Sequence, residues 1–568
     1  MSQSLLMGNQ AIAMGALRAG IGVASGYPGT PSTEVLETIA KTKHQIYVEW
    51  SVNEKAALEL AAGAAYTGTR ALVTMKQVGL NVASDPLMSL SYIGIKGGMV
   101  VMVADDPGPI SSQTEQDTRT FARYAKLPVF DPSSPEEAYQ MIGDAFDYSE
   151  KYGTPVLFRP TTRLCHATAP IEVSDNWKNI KPEGFKKEPR WVIFPRLSYQ
   201  AHLNIEKRNP LIGEDFSTYR YNTLTGTGKK GIAAGGVSSA YTNEALKILR
   251  GNGTADCRLM KIATPFPFPE ALACKFLDGL DEVLVIEELD PVIERELIYL
   301  CGKHGIKITV KGKLTGHIES AGENTVESVT AAISKFLSVP YEKPAAHMLP
   351  PLPVRPPVLC AGCPHRASFY AVKQAMKGKK AVFSGDIGCY TLGNAQPLDM
   401  VDTCLCMGAG ITLAQGIKRA EPDTTSFAFV GDSTFFHTGI PGVVNAVYNN
   451  TDLNLIVLDN STTAMTGQQP HPGTGKTLMG DTAKKLSIPN ILKAIGVKNV
   501  QVIDPLHQKA AVSAVKNAAE DGGVQAVVFE SPCIYVTEQG TPMYVEADKC
   551  VGCMRCIIEF GCPAVARD

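Results

Sequence analysis

Two short apolar runs, residues 427–430 and 453–458, flank a helix-compatible segment at 439–449. Runs of this length, rich in β-branched and aromatic residues, read as strands, and a strand–helix–strand unit makes its two strands parallel. No other feature constrains the chain as much. A parallel sheet carries helices on its faces and presents its ligand crevice at the carboxyl ends of its strands. Asp432 and Asn460 each follow directly on their strand, so both are expected side by side on that edge. Gly431 lets the backbone approach a phosphate closely. Asp432, Asn460 and a backbone carbonyl near Thr462 offer the oxygen ligands that Mg²⁺ prefers.

The same α/β texture recurs. Residues 1–175 hold apolar runs at 22–24, 46–49, 70–74, 99–104 and 155–158, and residues 230–339 hold runs at 230–234 and 282–286 with a helix at 241–250. Between them, 176–229 is irregular and charge-rich, contains Trp177 and Trp191, and reads as a long connection. A proline-rich run at 340–357 reads as a linker, since repeated proline excludes helix. The third α/β section spans 358–537, and 538–568 is a small cysteine-bearing tail. At 568 residues the chain exceeds one domain. The apolar stretch 5–24 contains Arg18 and has no basic segment before it, so it reads as a packed helix, and no run reaches the roughly 18 residues that span a bilayer. A cytoplasmic protein is expected. The net charge of −2, without a basic run, gives no reason to expect nucleic acid or a membrane surface as partner.

A reducing compartment makes the fourteen cysteines ligands rather than disulfides. Cys550, Cys553 and Cys556 form C-x₂-C-x₂-C, and Cys562-Pro563 follows after five residues. This is the iron–sulfur signature of bacterial ferredoxins with a longer last gap, and it favours [4Fe–4S] over zinc. In two-cluster ferredoxins the cysteine of Cys-Pro serves the other cluster, and this sequence has no second such run. Cys562 therefore folds back as fourth ligand, a partner supplies it, or the tail is a shortened one.

In the first section, the segment from Gly26 to Glu34 (Gly-Tyr-Pro-Gly-Thr-Pro-Ser-Thr-Glu) reads as a strand, a turn and a helix capped by Ser32 or Thr30, with backbone donors suited to an anion. Glu54 opens a helix of small residues running to Ala65. Residues 473–477 imitate a phosphate-binding loop but lack its strand-to-helix context, and read as a loop after Asn460 that covers a cofactor. His365, Arg366 and His437 lie in segments expected near the site.

Gly431-Asp432-Ser433 followed by Asn460 resembles the diphosphate-binding motif of thiamine diphosphate enzymes, with Ser433 where glycine is usual. The chain as a whole, with Cys-Ala-Gly-Cys-Pro-His-Arg at 360–366 added, resembles the large subunit of the 2-oxoacid:ferredoxin oxidoreductases. The resemblance implies a thiamine diphosphate-binding fold: several doubly wound, mostly parallel α/β domains with a ferredoxin-like tail, and a transketolase-C-like domain at 230–339. It implies that Glu54 hydrogen-bonds the cofactor's aminopyrimidine, that Thr30 faces the oxoacid, and that an arginine, Arg119 or else Arg123, meets its carboxylate. Gly431, Asp432, Ser433, Asn460 and Thr462 would bind diphosphate and Mg²⁺, with His437 nearby. Cys360, Cys363, Cys389 and Cys533 match the ligands of a cluster beside the thiamine, giving one or two [4Fe–4S] clusters; buried structural thiols are the alternative. Cys404 and Cys406 form a C-x-C pair that can ligate metal, and core packing beside the cofactor is the favoured expectation. The implied activity is oxidative decarboxylation of aryl, indolepyruvate-like 2-oxoacids to acyl-coenzyme A and CO₂, with electrons delivered to ferredoxin and a smaller partner subunit completing an α2β2 hetero-oligomer. A non-oxidative thiamine decarboxylase or carboligase, or an electron carrier with a vestigial thiamine site, are the competing readings.

Overall fold

The computed structural model describes residues 2–42, 46–174, 177–178, 180–250, 256–342, 352–353, 355–538, 540–541 and 543–566. It divides into two compact units, Met1–Met348 and Leu349–Asp568. Most of the expected linker at 340–357 lies outside the described residues.

The first unit contains a six-stranded parallel sheet in the spatial order Tyr47–Trp50, Val23–Gly26, Ala71–Lys76, Met99–Ala104, Val156–Phe158, Val129–Phe130. Its central strand Met99–Ala104 is buried along its whole length, which is why it reads as an unbroken apolar run. The helix Glu54–Tyr66 starts where Asn53 accepts a hydrogen bond from the Ala56 N–H at 2.8 Å, and its alanines pack against the sheet. A second sheet, Thr309–Lys311, Glu282–Ile286, Lys230–Gly235, Arg258–Ile262, Thr223–Gly226, is parallel except for its last strand.

Two expectations need correction here. The apolar stretch 5–24 is not one helix: Ser2–Met7 is a strand paired antiparallel with Thr168–Val173, and the helix is Gly8–Arg18. The supposed connection 176–229 contains the helix Pro195–Phe216 and the edge strand Thr223–Gly226. Proline at the first helical position needs no N–H partner, and Leu197, Ala201, Ile205, Ile212 and Phe216 form a stripe that the charged residues between them conceal.

The second unit is built on a five-stranded, all-parallel sheet: Ala381–Ser384, Thr425–Gly431, Leu453–Asp459, Val524–Glu530, Asn499–Ile503. Phe369 packs on Phe429 with ring centroids 4.7 Å apart, and both are fully buried. Each such ring contributes about 1.5–3 kcal/mol of burial. Both units are thus α/β with mostly parallel sheets. Among the described residues no helix is long and apolar enough to cross a membrane.

Candidate active site

Parallel register sets the second unit's site. Gly431 is level with Leu458, so the chain leaves two adjacent strands at Asp432 and at Asp459-Asn460. One end of the Asn460 amide lies 2.8 Å from the Thr462 carbonyl oxygen and 3.3 Å from Asp432 Oδ2; its other end lies 3.2 Å from His365 Nε2. With nitrogen on the Thr462 side, the amide donates to both oxygens. With oxygen there, three acceptors face one another with no proton between them, which is the donor set of a hard cation. Burial holds the His365 ring neutral by pulling its pKa down to about 4, against the pull of Asp432.

Asp432 itself is buried and takes a hydrogen bond from Ser433 N–H at 2.8 Å. His471, which the sequence reading passed over, lies with Nε2 3.1 Å from Asp432 Oδ2. Its Nδ1 accepts from Gly473 N–H at 3.1 Å, so Nε2 carries the proton. Burial opposes ionisation of Asp432, but this hydrogen bond keeps its carboxyl below the usual range. Burial and the neighbouring Asp432 push Asp459 the other way, up to about 7. Thr463 donates to Ser433 Oγ at 2.9 Å, closing the loop over the end of the strand.

Gly431 is required for a reason the sequence did not suggest. A Cβ there would lie 2.5 Å from Cε1 of Tyr390, whose hydroxyl donates to Ile387 O at 3.0 Å. Asp386, fully buried beyond the strand Ala381–Ser384, accepts from Ile387 and Gly408 N–H groups, each at 2.8 Å. Burial pushes Asp386 up to about 7 despite these bonds and the nearby His437. His437 sits in a π-helical turn, Phe435–Gly439, with Nδ1 3.2 Å from Thr438 Oγ1. Asp386 could have been found by an argument close to the one that found Asp432, since only one residue, Gly385, separates it from the end of a sheet strand.

The four cysteines come together. Cys363 and Cys389 are pushed up to about 11, first by burial and then by neighbouring thiols, among them Cys360 and Cys533. The Cys533 N–H donates to the Asn460 carbonyl at 2.9 Å, so this thiol set adjoins the oxygen set. Among the described residues no three of these sulfurs lie within 4.8 Å of one another. Tetrahedral Zn²⁺ with its bonds of about 2.3 Å would draw them to about 3.8 Å, whereas a four-iron cluster needs wider spacing. Cys404 and Cys406, expected in the core, are instead exposed on a loop, because the segment between Asp402 and Gly408 runs outside the sheet's apolar layers. In the tail, the Cys562 N–H donates to Cys556 O at 3.1 Å, so Cys562 folds back toward the C-x₂-C-x₂-C run.

In the first unit, Glu54 is buried at the first position of its helix, and its carboxylate lies on Gly79: a Cβ there would be 2.5 Å from Oε1. Lys76, at the end of the neighbouring strand, donates to Ser111 O at 3.1 Å, and Ser111 Oγ donates to Thr30 O at 3.3 Å. Burial lowers the Lys76 pKa, while Asp106 and Glu54 oppose that shift. Lys76, Glu54 and the Thr30 turn therefore form one neighbourhood. Arg119 does not join it. Its guanidinium is buried, donates to Asp117 and Glu287 carboxylates, and donates to the Glu288 and Asp290 carbonyls at 2.6 and 3.0 Å. Every nitrogen of the fork has an acceptor already, so the expectation that Arg119 meets a substrate is corrected. Arg123, the second choice, pairs with Glu296 at the surface.

Two family models match the chain: thiamine pyrophosphate enzyme, C-terminal TPP binding domain, over residues 386–529, and pyruvate flavodoxin/ferredoxin oxidoreductase, thiamine diphosphate-binding, over 14–212. The class is therefore that of thiamine diphosphate-dependent 2-oxoacid:ferredoxin oxidoreductases. Indolepyruvate oxidoreductase subunit IorA of Thermococcus kodakarensis is 42% identical over 99% of this chain and 92% of its own length. The subunits of that name from Pyrococcus horikoshii and Methanothermobacter thermautotrophicus are each 41% identical over the same shares. The chain belongs to this IorA family.

Proposed function

We propose that this chain is the large subunit of an enzyme that oxidatively decarboxylates aryl 2-oxoacids to acyl-coenzyme A and CO₂ and passes the electrons through [4Fe–4S] clusters to ferredoxin. The observation that carries the reading is the adjacency of an oxygen set fit for Mg²⁺ and a four-thiol set fit for iron and sulfide, joined by the Cys533–Asn460 hydrogen bond. A non-oxidative decarboxylase has no use for the thiols, and a carrier with a vestigial site has no use for the oxygens.

Thiamine diphosphate, when bound, supplies the electron sink that lets the carboxylate leave as CO₂. The chain's own residues do the rest. Asp432, the Asn460 amide oxygen and the Thr462 carbonyl hold Mg²⁺, with Gly431 and Ser433 lining the diphosphate. His365, with Nε2 unprotonated, would accept from the Asn460 amide nitrogen and so turn the amide oxygen toward Asp432. Glu54, pressed on Gly79, presents its carboxyl to the aminopyrimidine and holds or yields a proton there. Lys76 and Thr30 receive the substrate carboxylate, in the place expected of Arg119. Asp386 and Tyr390 position the segment bearing Cys389, and His437 lies beside Asp386. Cys360, Cys363, Cys389 and Cys533 hold one cluster, and Cys550, Cys553, Cys556 and Cys562 the other. A smaller partner subunit in an α2β2 assembly, ferredoxin and coenzyme A complete the reaction; the naming of the relatives as subunits supports the partner.

The test is iron, acid-labile sulfide and thiamine diphosphate per chain, measured on protein purified without oxygen and co-expressed with its partner. About eight irons with one thiamine are expected from two four-iron clusters. Thiamine without iron would promote the non-oxidative decarboxylase, and iron without thiamine the electron carrier.

A further inference from the structure

Arg366 follows Cys363 by three residues in the helix Pro364–Ala375 and is buried. Its Nη2 donates to the Leu359 carbonyl at 2.7 Å, immediately before Cys360. Its Nη1 donates to the Phe560 carbonyl at 3.0 Å, two residues before Cys562. Its own N–H donates to Cys363 O at 3.2 Å. One side chain thus grips both cysteine loops. The same patch holds the tail in other ways. Tyr370, one turn further along, packs edge-on against Phe560 with centroids 5.5 Å apart and donates to Glu559 at 3.1 Å. Gly561 lies in the left-handed region, φ +62°, where a Cβ would be 2.4 Å from Cδ of Pro397. Arg366 Nε is buried without a hydrogen-bond partner, an N–H left over for an acceptor of another kind.

We infer that Arg366 is the strut that docks the tail onto the helix Pro364–Ala375 within the second unit and sets the electrostatics of both cysteine sites at once. Burial lowers its pKa, and the thiols of Cys562, Cys363 and Cys360, in that order, oppose the shift, so the cation faces both sets. The inference rests on the reading above that each set holds an iron–sulfur cluster. Such clusters with four thiolates are anionic, and their potentials follow net charge and hydrogen bonds to sulfur. A fixed guanidinium between two anionic centres favours the reduced state of both. Clusters held by these thiols would supply one-electron chemistry, and Arg366 would act on it only through its fixed charge, forming no bond and keeping its proton.

The experiment uses the full chain with its partner subunit, comparing wild type with Arg366→Gln, Arg366→Lys and Gly561→Ala. Redox titration followed by electron paramagnetic resonance reads each cluster, iron content reads occupancy, and hydrogen exchange reads the tail amides at 543–566. Arg366→Gln is expected to shift the one-electron equilibrium of both clusters about tenfold toward the oxidised form, about 59 mV lower, and to speed tail exchange. Arg366→Lys keeps the charge but not the two-carbonyl grip, so exchange rises while the potentials hold. Gly561→Ala loosens the tail and leaves the potential at the Cys360 site where it was. Full iron with unchanged potentials in Arg366→Gln overturns the electrostatic role and leaves the proposed function standing. Wild-type protein without tail iron sinks the electron route itself, and unchanged exchange in Arg366→Gln then overturns the strut as well.

Discussion

Arg119 and Asp432 are both charged, both buried, and both in the first turn of a helix, yet their surroundings are opposite. Around Arg119 every donor of the fork meets an acceptor, supplied by Asp117, Glu287 and two carbonyls. Around Asp432 the Asn460 amide, the Thr462 carbonyl and Asp459 crowd together and His471 donates to its carboxylate; with the Asn460 oxygen turned inward the oxygens outnumber the protons. A closed set of partners holds a fold together, whereas an open set of like groups is held in place for something to be bound. The difference teaches that burial and charge do not identify a binding residue; the balance of donors and acceptors does.

The widest expected gap comes from cutting each centre in turn. Asp432→Ala should reduce turnover about 10³-fold and lose thiamine diphosphate in proportion, with thermal stability kept, since removing this carboxylate relieves Asp459. Assay of bound thiamine beside a thermal melt decides it; a variant that keeps its thiamine would break the comparison. Arg119→Met should do the reverse. Stranding Asp117 and Glu287 costs about 3–5 kcal/mol of stability, seen in denaturant unfolding, while the folded fraction binds thiamine normally.

Lys76→Met sharpens the point about which cation is open. Loss of a hydrogen bond to a charged group costs about 1.5–3 kcal/mol, so KM for the 2-oxoacid should rise roughly 10- to 100-fold while kcat falls much less. A steady-state titration that shows kcat alone affected would remove Lys76 from the substrate site. The smallest effect is expected at Glu288, where the closed network has a flaw: its Oε2 has no hydrogen-bond partner, and burial pushes its pKa up to about 7. The folded chain therefore binds this proton more tightly than the unfolded chain, so stability is present at low pH and declines as pH rises from the ordinary value of 4.5 toward about 7. Glu288→Gln should melt like wild type at pH 4 and be about 1–3 kcal/mol more stable at pH 8.

Much of this was legible beforehand where local chemistry decides. The strands Met99–Ala104 and Glu282–Ile286 were read at their full extent, because a central parallel strand is apolar on both faces. The helix Pro195–Phe216 was not, because a surface helix buries only a stripe and its two prolines argue for irregular chain. Arg119 was misread for a related reason: Glu287 and Glu288 lie about 170 residues away, and no local pattern announces a partner that distant.

The sequence by itself determined the α/β class, the placing of Asp432 and Asn460 on one sheet edge, and the cysteine spacing that suits iron, since strand period, parallel connection and ligand spacing are local in the chain. Only the tertiary structure decided that His471 donates to Asp432, that Tyr390 is what makes a glycine necessary at 431, that Lys76 lies beside Glu54 and the Thr30 turn while Arg119 is closed in by its own partners, and that Arg366 reaches both cysteine loops. These are pairings between residues brought together by folding, and hydrogen-bond donors find acceptors by distance in space rather than by distance along the chain.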